Sequence, residues 1–175
     1  MVNTDPVGFD ESVPVQWLAA DLAAAKTRGA TKFLIFGHKP AFTYFGDAVA
    51  DQLVSSGKSK TPKTKNKEDG FATRPLMREK FWDVIETYNA TYFCGHQHVY
   101  HASQPRHSTG GKAWQIMIGT AGSPLSFGGG KSKNRNDAIY AWAEVSVREN
   151  GSVGVLVRGF DGVADKTLII EQFEL

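Results

Sequence analysis

Covalent staples are the first thing missing. The chain carries one cysteine, Cys94, so no disulfide can close within it, and the cross-link on which small secreted domains rely is excluded. No apolar run approaches the roughly 18 residues a membrane-spanning helix requires. The opening residues Met1–Gly8 have neither the basic nor the apolar segment of a secretory signal. Charge of one sign is scarce too: 20 basic against 18 acidic residues leave +2, too little to mark a polyanion-binding protein by bulk electrostatics. There is no internal repeat. What remains is a 175-residue chain, 41% apolar and 22% charged, expected to bury a core as a single domain spanning 1–175.

Val15, Leu18, Leu22 and Ala25 recur at helical spacing behind Pro14, and Gly29 ends the run. Ser12 is placed to cap that helix. Residues Lys32–Gly37 have the texture of a buried strand. A second helix is expected from Pro75, with Met77, Phe81, Val84, Ile85 and Tyr88 on one face, and it leads into a second apolar strand, Thr91–Gly95. A strand–helix–strand order favours parallel pairing of the two strands. Residues 46–74 read as a polar excursion. Within it, lysines at 58, 60, 63, 65 and 67 mark a flexible basic loop at about 56–70. No aromatic residues interleave with them, so they read as a solvated face and not as a nucleic-acid site. Beyond residue 112 the texture turns to β, with strands expected at 114–118, 139–147, 153–158 and 167–173. Asn150-Gly151 and Asp161-Gly162 supply turns between them. The fold class is α/β: a mixed sheet with two main helices, followed by antiparallel strands.

The histidines carry the chemistry. His38 directly follows the first apolar strand, and His96 and His98 directly follow the second. If those strands are parallel neighbours, all three rings emerge at one carboxyl edge, where open α/β sheets place ligands. A glycine precedes His38 and another precedes His96, which lets the backbone turn and approach an ion closely. His96 and His98, two residues apart, lie on one side of an extended segment. Three imidazoles suit a divalent transition metal such as zinc, manganese or iron, with a position left for water. His101 and His107 read as hydrogen-bonded loop residues, and Cys94 as an inert buried thiol. Gly128–Ser132 imitates a phosphate loop, but Leu125 stands where that motif needs glycine.

Gln16-Trp17-Leu18, Gly37-His38-Lys39-Pro40, Gly95-His96-Gln97-His98-Val99-Tyr100 and Ile118-Gly119-Thr120-Ala121-Gly122 together resemble the C-terminal half of the calcineurin-like metallophosphoesterases, which include purple acid phosphatases. The resemblance runs over most of the chain. It implies a partial metallophosphoesterase sandwich, two β-sheets flanked by helices, that hydrolyses a phosphoester. In the family's two-metal mode, His38 and His96 would bind one ion and His98 the other, activating a hydroxide. Tyr100 and His101 would stand near the substrate or its leaving group.

The acidic elements of that family have no counterpart here. No aspartate stands two residues before a histidine, and no Asn-His pair exists. Gly46–Asp51 is one residue too long for the family's Gly-Asp-x-x-Asp and follows His38. Without a bridging carboxylate, two cations repel each other, so His38, His96 and His98 are expected to hold one ion within a truncated domain. Strands missing from such a domain would leave a sheet edge open. This predicts a homodimer or a complex with a complementing N-terminal fragment. A catalytically incomplete metal-binding or interaction domain is the alternative reading.

Overall fold

The computed structural model describes residues 1–4, 13–44, 74–122, 139–161 and 165–175. Ser12, the basic loop at about 56–70, Gly46–Asp51 and Gly128–Ser132 lie outside the described residues. Among those described, no helix is long and apolar enough to cross a membrane.

Two helices, α1 (Val15–Thr27) and α2 (Pro75–Thr87), lie where the apolar spacing put them. Pro14 is the N-cap of α1, and among the described residues no side chain caps that end. Gly29, at φ +97°, ends α1 with its N–H donated to the Lys26 carbonyl, while Ala30 N–H reaches the Ala25 carbonyl. This left-handed turn is the helix stop that the glycine signalled.

The first sheet contains β1 (Leu34–Phe36), β2 (Thr91–Cys94), β3 (Tyr100–Ser103) and β4 (Trp114–Ile118) in the order β1-β2-β4-β3. β1 and β2 pair in parallel, as do β2 and β4, and β3 joins antiparallel to β4. The parallel pairing of the two apolar strands is therefore present. β3 was not expected, because Tyr100-His-Ala-Ser is too short and too mixed to show alternation. The second sheet is antiparallel, with β5 (Tyr140–Val147), β6 (Val153–Asp161) and β7 (Lys166–Glu174) in sequence order. Asn150-Gly151 does turn the β5–β6 hairpin, with Gly151 at φ +80° and its N–H on the Arg148 carbonyl.

Three layers result. Leu18 and Leu22 of α1 and Phe81, Trp82 and Ile85 of α2 bury against Ile35, Tyr92 and Met117 on one face of the mixed sheet. Phe93, Tyr100 and Ile116 on the other face meet Ala141, Val155 and Val157 of the antiparallel sheet. Side chains alternate across a strand, so Tyr92 and Phe93 serve different cores. Beside β1, Val2 is buried and donates its N–H to the Phe36 carbonyl at 2.7 Å, so residues 1–4 shield part of that edge.

Candidate metal centre

The carboxyl ends of β1 and β2 are held in register past the strands themselves. Gly37 N–H donates to the Phe93 carbonyl (3.0 Å), and Gly95 N–H donates to the His38 carbonyl (2.9 Å). This extension of the parallel ladder brings the two Gly-His pairs side by side. His38 Nε2 and His96 Nδ1 are 3.1 Å apart, with the rings nearly perpendicular at 78°. Two nitrogens each about 2.1 Å from a shared ion would be separated by about 3.0–3.4 Å for angles between octahedral and tetrahedral. The observed spacing lies within that range, and it is equally the length of a hydrogen bond between the two ring nitrogens.

The two glycines differ in purpose. A Cβ at Gly37 would run into the Tyr92 hydroxyl and approach Thr4 Cγ2 to 2.9 Å. That hydroxyl is itself fixed, donating to the Lys39 carbonyl at 2.5 Å. At Gly95 the nearest atom to a Cβ would be Gly119 Cα at 3.7 Å, an ordinary contact. Close approach is therefore required at Gly37 only. The sharp bend comes one residue later, at His96, which has φ +67°. A non-glycine residue there costs on the order of 1 kcal/mol, a strain that clusters at functional sites.

His98 is half-buried two residues on, with Val99 N–H closing back on the Gln97 carbonyl at 2.8 Å. Among the described residues, no three histidine, cysteine, aspartate or glutamate side chains converge as a metal-holding group. The structure thus brings together His38 and His96 and leaves His98 outside the pair. His101 sits edge-on to Tyr44, centroids 5.0 Å apart. Tyr100 is buried between the sheets with its hydroxyl donated to Glu171. His107 opens a single 3₁₀ turn at the surface.

Three polar residues position the site without having drawn notice in the sequence. Thr4 Oγ1 accepts from the N–H groups of His38 and Lys39, both at 2.8 Å. Gln115, fully buried on β4, accepts from Ala41 N–H (2.9 Å) and Phe42 N–H (3.0 Å) through Oε1 and donates from Nε2 to the Phe42 carbonyl (2.7 Å). Gln97, inside the Gly-His-x-His element, accepts from Tyr44 N–H at 2.7 Å. Each bond spans 34 to 74 residues of chain, so no local pattern could signal it.

Cys94 takes no part. Its thiol is buried, and burial raises its pKa well above the usual thiol range. The thiolate is the reactive form. Alkylation of the native protein by iodoacetamide at pH 8 should therefore run about a hundredfold slower than after unfolding in guanidinium. Comparable rates in the two states would show that the second strand is not buried as described.

No protein-family model matches the chain, and no curated protein matches it.

Proposed function

We propose that this protein binds a divalent transition metal through His38 and His96, with His98 adjoining, and that the site belongs to a phosphoester hydrolase of the calcineurin-like metallophosphoesterase kind. The observation that carries this reading is the 3.1 Å approach of the two imidazole nitrogens at the carboxyl ends of adjacent parallel strands. Zinc, manganese and iron fit an imidazole donor set, and the ion would supply Lewis acidity and a bound hydroxide. The chain's own part is to hold the two rings in place. The extended ladder, Thr4 and Gln115 fix the His38 segment, and the left-handed bend at His96 turns the second ring toward the first.

A second reading is favoured by the lack of a three-ligand group among the described residues. In it the chain is an incomplete metal-binding domain that needs a partner chain, either a second copy or a fragment supplying carboxylates, before it can turn over. Hydrolysis of bis(4-nitrophenyl) phosphate by the isolated chain, in excess manganese or zinc, separates the two. Turnover that disappears in His98→Ala supports the first. About one bound ion with no turnover supports the second, and light scattering at micromolar concentration then separates its two forms: a monomer leaves either partner to be supplied, and an inactive dimer leaves only the fragment. Metal content unchanged in His98→Ala would remove His98 from the site.

A further inference from the structure

The two sheets do not cover each other completely. The stacking of Trp114 on Phe173 and the hydrogen bond from Tyr100 to Glu171 place β7 over β4 and β3. β5, the edge of the antiparallel sheet, comes last on the side toward β1 and β2. Among the described residues four strands face three, and no further described strand lies beyond β5 at the corner it shares with β1 and β2. That corner is a cavity of about 310 Å³ among the described residues, walled by Phe36, Phe93, Ile118, Ala143 and Val145. Its rim is formed by Gly37 and Gly95, the residues immediately before His38 and His96.

The chemistry of the notch is one-sided. Among the described residues its lining, which also includes Cys94, carries no charged side chain. Phe36 and Phe93 are stacked with centroids 5.1 Å apart, yet Phe36 remains 44% exposed. An aromatic face left open over a buried partner provides a surface for another ring to stack on. The volume lies at the small end of ligand pockets, where apolar walls beside a few polar groups define a binding site. Here the lining stops at Gly37 and Gly95, and the two imidazoles follow one residue further along each segment.

We infer that this notch is a subsite for an apolar, preferably aryl, substituent of the phosphoester whose phosphoryl group meets the His38–His96 site. The inference rests on the metal-site reading for the phosphate and on the notch geometry alone for the aryl group. A phosphoester with an aromatic alcohol would place its ring against Phe36 and Phe93 while its phosphate stays at the rim. Inorganic phosphate or glycerol 2-phosphate would use the rim only.

The test compares binding of 1-naphthyl phosphate and inorganic phosphate to the zinc-loaded protein by calorimetry. The expected result is about tenfold tighter binding of the naphthyl ester, with the preference lost when Ala143→Phe fills the notch and reduced when Phe36→Ala removes its open wall. Zinc content should be unchanged in both variants. A parallel arm uses 1-naphthol, which has no phosphate, on metal-free protein; it should bind the natural chain and not Ala143→Phe. Equal affinity for the two phosphates, or a preference that survives both variants, would overturn the inference. Should the protein bind no zinc, the 1-naphthol arm still decides: binding blocked by Ala143→Phe upholds the aryl notch, whereas no binding, or binding indifferent to that change, overturns it.

Discussion

Gly119→Ala is expected to lose about 3 kcal/mol of stability and to weaken metal binding at least tenfold, whereas Gly95→Ala, inside the histidine motif itself, is expected to be tolerated. A Cβ on Gly119 would collide with the Gln97 carbonyl oxygen, stand 2.8 Å from that carbonyl's carbon and 3.3 Å from His98 Cα. These are backbone atoms, so no rotamer change relieves the clash. Gly119 N–H is also tied to the Val99 carbonyl at 3.1 Å, which holds the end of β4 against the loop. Relief must come from pushing the Gly-His-x-His segment off the sheet edge, and that moves His96. At Gly95 the added methyl would meet nothing closer than 3.7 Å. Thermal unfolding of both variants, with metal titration, checks the pair. Equal tolerance at both positions would mean that the loop does not rest on β4 as described.

The second large effect is expected for Gln115→Leu, which keeps volume and burial but removes a polar clamp. Two N–H groups and one carbonyl, from Ala41 and Phe42, would lose their partner in a buried setting. An unsatisfied buried group costs about 1–3 kcal/mol. Allowing for partial relaxation, the loss should be about 3 kcal/mol, or a Tm lower by roughly 6–12 °C for a chain of this size. The segment released directly follows His38-Lys39-Pro40, so metal affinity should fall as well. An exposed substitution such as Glu149→Gln serves as the control and should change Tm by less than about 2 °C. A Gln115→Leu protein with wild-type Tm would contradict the clamp.

These two positions show what the sequence could and could not disclose. His38 and His96 were legible because each follows a glycine at the end of an apolar run. A strand–helix–strand order then predicts parallel pairing and a shared edge. The β5–β6 hairpin was legible from Asn150-Gly151, since only a few residue types accept its backbone. β3 was not legible: it gains its pairing from β4, and the four residues Tyr100–Ser103 hold too little pattern to announce it. Gln115 reads as one polar residue in an apolar strand, and its partners lie more than 70 positions earlier. Thr4 carries no motif that marks it, yet its hydroxyl accepts the His38 and Lys39 N–H groups. The glycine argument transferred to only one of its two sites. Gly37 is needed for space, while the bend expected at Gly95 falls on His96, a residue that composition would not nominate for a positive φ.

The central claim is that His38 and His96 share one ion. Its most direct test is the zinc content of purified protein after equilibrium dialysis, for the natural chain, His38→Ala and His96→Ala, with folding verified by thermal unfolding. The account predicts about one ion per natural chain and at least a tenfold lower affinity in each variant, without a comparable loss of Tm. Equal zinc content in all three folded proteins, or none in the natural chain, would contradict it.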